Sequence, residues 1–492
     1  MEEKGWLPVR RLIILFSTLC FFASHFFSFV QAEEKSTTLF LALDGVSFSL
    51  IKEMKAEGKF SSFSDPSLII SPFPSTTTSG FTGLLKPYGV SKASGYDERS
   101  FDYTANKVEG NLLSAYQKSP ANYLTFFDYN RHSFFSQFIM YAIPGFSVKR
   151  DIERIPNILF SEPERDQFVV YIGGTDGAAH ILGKRRVKSI LSMVDKYLQR
   201  LQRRYKKKTG KHLEFVLFSD HGFDFKPLKA ISTSKIKHHL EKHQFKLSEH
   251  LLSENDVVLV HWGNISGASF YTKPDKVGTI SEVLSRISGV DIVSYKKGND
   301  IFFLRFDGRQ MQKAQVRADG DYFSYVPLLG DPLSYQSVYT ELKKSGKLRA
   351  DGFAHWKHIA NATFSHQYPS AQKRVHDAFF KLVDNPATIL CSTKQEFEFG
   401  DSVTRLTAKL HGGLKGTHGG LFWDASNAFV MTTDASIQLP DAALYPTALT
   451  AFAKDIEEQL EYQQEKLREE KKQEELMVEE KKQKNYGSAV TH

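Results

Sequence analysis

The chain has little cysteine, little excess charge and, beyond its first 32 residues, no apolar run long enough to cross a bilayer. Two cysteines among 492 residues exclude a disulfide-built scaffold. A hydrophobic share of 41% against 24% charged residues, with 32 Gly and 17 Pro, excludes a disordered or collagen-like chain. The 64 Lys and Arg barely outnumber the 56 Asp and Glu, and no basic cluster is interleaved with aromatics. A nucleic-acid groove therefore has no support. There is no internal repeat.

What is present is a long chain rich in aromatics. With 40 Phe and 20 Tyr it can fill a sizeable core. Its length suits two or three ordinary domains, or one large α/β domain carrying insertions.

Residues 1–32 read as an export signal. Lys4, Arg10 and Arg11 precede the apolar run Leu12 to Val30, and Val30-Gln31-Ala32 ends in the small residue of a cleavage site. Ser17, Thr18, Ser24, His25 and Ser28 interrupt the run, which favours cleavage; an uncleaved membrane anchor is the alternative. The expected location is periplasmic or extracellular. If Ala32 is the last residue removed, Cys20 leaves with the signal and Cys391 has no partner. An exported protein of this kind must be held by its core and by any metal ions it binds.

Three apolar runs end in polar, chemistry-bearing residues. Thr37–Leu43 leads into Asp44-Gly45, Phe168–Ile172 into Gly173-Gly174-Thr175-Asp176, and Phe215–Phe218 into Ser219-Asp220-His221-Gly222. Such runs predict buried parallel strands. Between the second and third, an amphipathic helix is expected over about Val187 to Tyr205, with Ile190, Val194, Leu198 and Leu201 on one face. Strand, helix, strand at this spacing implies an α/β fold with a largely parallel sheet covered by helices. Ligands in such sheets gather beyond the carboxyl ends of the strands.

About 226–399 reads as an inserted α+β subdomain. Strands are expected near Val257–Val260, Ile301–Phe306 and Tyr322–Val326, and helices near Pro274–Ile287 and Ser370–Val383. Asn264-Ile265-Ser266 and Asn361-Ala362-Thr363 fit the glycosylation sequon, relevant only to a eukaryotic secretory pathway. Residues 33–450 would form the main domain and 451–492 a charged tail. From Lys454 to Lys484 nearly every residue is Glu, Lys, Gln or Arg, which predicts a solvated single helix without a sustained heptad. Such a tail is a candidate contact for a protein partner.

Asp and His are the usual ligands of zinc-type sites, and paired metals suit phosphoryl transfer. Asp44, Asp176, His180, Asp220 and His221 all stand at or just beyond predicted strand ends. Asp176 and His180 are four apart across Gly177-Ala178-Ala179, small residues that let both side chains turn to one ion. Asp220 and His221 are adjacent, and a turn before Gly222 lets both face one way. A lone Asp-Gly is usually a turn. Their joint placement is the signal.

Leu43-Asp44-Gly45, Thr175-Asp176-Gly177-Ala178-Ala179-His180, Ser219-Asp220-His221-Gly222 and Gly416-Thr417-His418-Gly419-Gly420 resemble, in order, the motifs of the alkaline phosphatase superfamily. The type I phosphodiesterase/nucleotide pyrophosphatase branch is the most similar. The resemblance implies that Asp176, His180 and His418 bind one metal, while Asp44, Asp220 and His221 bind the other with a nucleophilic hydroxyl. In Pro74-Ser75-Thr76-Thr77-Thr78, the family's spacing from the proline selects Thr77, with Thr76 and Thr78 as alternatives. The segment is about four residues shorter than the family pattern before Thr82-Gly83. His411, seven residues upstream with similar flanks, is the alternative to His418. His355, His358 and His366 lack an Asp at ligand spacing and read as structural or surface residues.

The implied chemistry is a two-step transfer through a phosphoryl- or nucleotidyl-threonine with two divalent ions, zinc being best suited to the ligands. The substrate would be a small phosphate ester. An exported phosphomonoesterase or phosphotransferase, and a non-catalytic envelope binding protein on the same scaffold, are the alternatives. A sulfatase is disfavoured because Ser75 lacks the Pro and Arg that family requires. An export signal argues against a glycolytic phosphoglycerate mutase.

Overall fold

The computed structural model describes residues 36–97, 99–110, 122–129, 139–261, 264–400, 409 and 412–489. The apolar segment 1–32 and His411 lie outside the described residues.

The main sheet has six strands: β1 (Ser36–Leu43), β2 (Ser67–Ile70), β3 (Gln167–Ile172), β4 (His212–Phe218), β5 (Asn427–Thr432) and β6 (Ala442–Leu444). Their order across the sheet is β6-β2-β5-β4-β1-β3. β1 runs parallel to both β3 and β4, and β6 parallel to β2. The expectation of a largely parallel sheet needs one amendment, because β5 is antiparallel to both β4 and β2. The chain returns from the site along β5, so one element runs against the others.

Both faces of the sheet are covered. In β1 the side chains alternate: Leu39, Leu41 and Leu43 join one apolar cluster, Phe40 and Ala42 the other. Helices α1 (Phe48–Ala56), α2 (Thr77–Leu85), α3 (Gly174–Leu182) and α4 (Lys184–Thr209) follow the strands. α4 buries Val187, Leu191, Val194, Leu198, Leu201 and Tyr205 against the sheet. Spacings of three and four put these residues on one stripe, and Ile190 falls at its edge, half-buried. The helix stops at Gly210, whose φ of 74° suits a residue without Cβ.

Between β4 and β5 lies a nine-stranded sheet. Its order is Phe353–His355, Tyr322–Leu329, Met311–Asp319, Asp300–Phe306, Val290–Lys297, Ile389–Thr393, Gly267–Tyr271, Asp256–Val260 and Lys246–Ser248. All neighbours are antiparallel except the last pair. Strands thus stand where the apolar runs near 257, 301 and 322 predict them, and helices cover Val277–Ser285 and α5 (Ala371–Phe380). This sheet is no separate lobe. Tyr271, Phe303 and Tyr335 share one apolar cluster with Phe40 of the main sheet and Phe81 of α2. Cys391, in the strand Ile389–Thr393 of the nine-stranded sheet, is a buried free thiol.

The charged tail is a helix, α6 (Ala453–Ala489). Its beginning is not solvated as the charge pattern suggests. Ile456 and Leu460 are buried against the main sheet, while Gln459 and Gln463 donate to Phe126 O and to Asp128 Oδ1. Arg165, just before β3, pairs with Asp128 at 2.9 Å and stacks its guanidinium on Tyr462 at 3.9 Å. Later apolar residues, Leu467, Leu476, Met477 and Val478, are exposed. Truncating Ile456 to Ala should therefore cost about 2–4 kcal/mol of unfolding free energy. Leu476→Ala should stay within about 0.5 kcal/mol of the parent. Denaturant titration of both variants checks the contrast.

Candidate metal centre

The residues singled out in the sequence meet at the carboxyl ends of β1, β3 and β4. Asp44 follows β1 directly and is buried. Asp176 and His180 lie within α3, so their spacing of four is one helical turn and puts both side chains on one face. Asp220 and His221 follow β4 and are fully buried. His418 comes from the loop that leads into β5.

Two groups result. Asp176 Oδ1 lies 3.5 Å from His180 Nε2 and 3.6 Å from His418 Nε2. Asp44 Oδ1 and Asp220 Oδ2 each lie 3.4 Å from His221 Nε2. The groups adjoin: ligand atoms of Asp44, Asp176 and His221 fall within 4.8 Å of one another, as do those of Asp176, His180 and His418. Asp176 thus stands between the groups, which its spacing to His180 alone does not reveal. The His221 and His418 rings stack with centroids 4.0 Å apart.

Thr77 opens α2, and its Oγ1 lies 3.3 Å from Asp44 Oδ1 and 3.5 Å from His221 Nε2. Its neighbours do other things. Thr76 is the helix cap, accepting from Ser79 N and donating to Tyr96 O. Among the described residues no hydrogen bond joins Thr78 to the cluster. Packing brings α2 this close: a Cβ on Gly80 would stand 2.7 Å from Asp220 O, so only glycine lets the helix rest on the end of β4. Gly45, with φ of 64°, is likewise required, since a Cβ there would meet Asp176 Oδ1 at 2.8 Å.

A second layer orients the cluster. The Nδ1 atoms face backbone carbonyls: His180 to Gly416 O at 3.2 Å, His221 to Gly222 O at 2.9 Å, and His418 to Ser75 O at 2.8 Å. A carbonyl only accepts, so each Nδ1 donates a hydrogen outward and each Nε2 faces the cluster, presenting a lone pair wherever the ring is neutral. Tyr171 OH donates to Asp44 Oδ2 at 2.5 Å, Tyr141 OH to Asp176 Oδ2 at 3.3 Å, and Gly45 N to Asp220 Oδ1 at 3.2 Å. Asp176 Oδ1 and Asp220 Oδ2 are buried with no hydrogen-bond partner. Unbonded carboxylate oxygens facing imidazole nitrogens fit divalent cations, whose charge would offset the cost of burying them. Neither tyrosine was singled out from the sequence. The alternation of β3, which turns Tyr171 away from the Ile172 face, is the one signal that could have found Tyr171. His355 and His366 bond neighbouring backbone N–H groups, as expected of structural residues.

The electrostatics follow from burial. Burial pushes His180 down to about 4 and His418 well below the ordinary imidazole value, so both are neutral at pH 7. Burial raises Asp176 and Asp220 above the usual carboxylate range. His221 is also penalised by burial, but the Asp220 and Asp44 carboxylates outweigh that and raise it. The Asp220–His221 pair therefore holds protons at neutral pH that a cation must displace.

Comparison with known proteins bears on the same residues. Residues 97–296 match the family model of type I phosphodiesterase / nucleotide pyrophosphatase, a stretch that holds Asp176, His180, Asp220 and His221. No curated protein matches the chain in sequence. Similar solved structures include human ectonucleotide pyrophosphatase / phosphodiesterase 5, at 12% identity and a TM-score of 0.45, covering 86% of this chain and 95% of that one. Another is phosphonoacetate hydrolase from Sinorhizobium meliloti in complex with phosphonoformate, at 13% identity and a TM-score of 0.43, covering 87% and 96%.

Zinc added to chelator-treated protein at pH 7 should release at least about one proton per chain, and zinc affinity should fall as pH is lowered. Calorimetric titration in buffers of different ionisation enthalpy measures the release; a proton count of zero would contradict the assigned charge states.

Proposed function

We propose that the chain is a metal-dependent phosphoric ester hydrolase with Thr77 as its nucleophile, acting on phosphodiesters or nucleotide pyrophosphates. One observation carries this reading. Three imidazole Nε2 atoms and two unbonded carboxylate oxygens converge beside a single hydroxyl at the start of a helix. The family match over residues 97–296 supports the diester class.

Asp176, His180 and His418 would hold one divalent ion, and Asp44, Asp220 and His221, with Thr77, the other. Zinc suits this Asp and His set. Bound there, the ions would supply Lewis acidity, lowering the pKa of the Thr77 hydroxyl and offsetting charge on the phosphoryl oxygens.

The chain's own groups account for the rest. The N–H groups of Thr77 and Thr78 begin α2 and have no carbonyl four residues back within it, so they are free to orient a phosphoryl oxygen. Thr77 Oγ1 donates to Asp44 Oδ1, which sets the direction in which its proton leaves. Attack by Oγ1 forms the threonine–phosphorus bond as the bond to the departing alkoxide breaks, and the departing oxygen takes up a proton. Water then cleaves the threonine ester and restores the hydroxyl. Tyr171 and Tyr141 hold the carboxylates of Asp44 and Asp176 in place throughout. A small, partly open pocket adjoins the turn before Thr77, lined by Pro74, Val260, Ile265 and Ala268 together with Asp97 and Arg99. The apolar run Leu12–Val30 supports an exported protein, either released or anchored.

With zinc present, bis-p-nitrophenyl phosphate should be hydrolysed faster than p-nitrophenyl phosphate. The reverse order would indicate a monoesterase, and no hydrolysis at full metal loading a binding protein. Thr77→Ala should keep its metal yet lose at least about a thousandfold in turnover. Normal turnover in that variant would place the nucleophile elsewhere.

A further inference from the structure

Arg374, on α5 of the second sheet's subdomain, is the largest fully buried side chain among the described residues. Its Nε donates to Ser71 O at 2.7 Å. Its Nη1 donates to Leu421 O at 2.9 Å and Pro369 O at 3.2 Å. Its Nη2 donates to Ser426 Oγ at 2.7 Å, Ser75 Oγ at 3.1 Å and Pro72 O at 3.2 Å. No carboxylate among the described residues pairs with it. Asp377, one turn along, is engaged by Lys373, His376 and Tyr445.

A buried guanidinium stays charged, so oxygen dipoles alone offset its cost. A leucine or methionine would fill the same space without that cost. What the arginine adds is a rigid planar fork of five donors. Those donors end on two segments distant in sequence. Ser71, Pro72 and Ser75 form the turn that delivers Thr77, while Leu421 and Ser426 belong to the loop that delivers His418. Ser75 closes the circuit: its hydroxyl accepts from Arg374 and its carbonyl accepts from His418 Nδ1.

We propose that Arg374 is a positioning residue of the metal centre, holding the Thr77 turn and the His418 loop in register from a subdomain that contributes no ligand of its own. This rests on the hydrolase reading above. The three segments are linked through a group that touches neither substrate nor metal, so its removal alters alignment rather than binding surface.

The test uses the full chain carrying Arg374→Lys, which keeps the charge and loses the fork. Near-ultraviolet circular dichroism gives the folded fraction. Chelator competition gives zinc affinity, and bis-p-nitrophenyl phosphate gives kcat and KM. Per folded molecule, kcat should fall about a hundredfold with KM within about twofold. Zinc affinity should fall about tenfold or more. Parental kcat and zinc affinity in the folded variant would overturn the proposal, as would a loss of activity no larger than the unfolded fraction. Should Arg374→Lys fail to fold, Ser426→Ala removes one acceptor of the fork. It should lower kcat several-fold at unchanged KM, and parental kcat there overturns the proposal equally. A parent protein that binds zinc but hydrolyses no phosphoric ester would refute the hydrolase reading instead, leaving the zinc arm to decide this one.

Discussion

Three carboxylates, Asp44, Asp176 and Asp220, are buried around one imidazole, each with an oxygen within 4.8 Å of a His221 ring nitrogen. Like charges in so poor a solvent repel strongly, and each loses its hydration. Much of the architecture around them answers this one problem. Three imidazoles are turned with Nε2 toward the cluster by their carbonyl partners, two of them neutral and the third, His221, charged by the carboxylates beside it. Two tyrosines and one backbone N–H take up some of the carboxylate oxygens, and two oxygens are left facing inward. The arrangement is balanced only with positive charge supplied from outside the chain, so the apoprotein and the metal-loaded protein should differ in stability as well as in activity.

The same constraint explains why the second sheet is packed onto the first rather than hinged from it. Water admitted around the cluster would hydrate the carboxylates and weaken their hold on a cation. A shared apolar core runs from Phe40 and Phe81 to Tyr271 and Phe303 and joins the two sheets. The subdomain contributes no ligand. Its part is to exclude water and to supply the buried arginine that ties two loops together.

The sequence discloses the centre unevenly, for physical reasons. Parallel strands buried on both faces read as apolar runs, so β1, β3 and β4 and the Asp and His residues at their ends are visible locally. Asp176 and His180 are also visible, because four residues is one helical turn as well as a plausible loop. The sense of β5 is not, since it depends on how a strand more than 200 residues after β4 returns to the sheet. Nor is the choice among Thr76, Thr77 and Thr78, which turns on which residue caps α2 and which faces the cluster. Arg374 carries no local signal at all; its partners lie up to 303 positions away. In the tail, Ile456 and Leu460 are legible as apolar, but the burial of Gln459 and Gln463 is hidden in a polar run.

β1 begins beside the start of β4, where Ser36 pairs with His212, and α6 passes Arg165 at the start of β3. Both therefore lie at the amino ends of the parallel strands, across the sheet from the cluster at the carboxyl ends. The molecule has a handle side and a working side. A support, a label or a bilayer attached before Ser36 would lie at the opposite end of the parallel strands from the cluster.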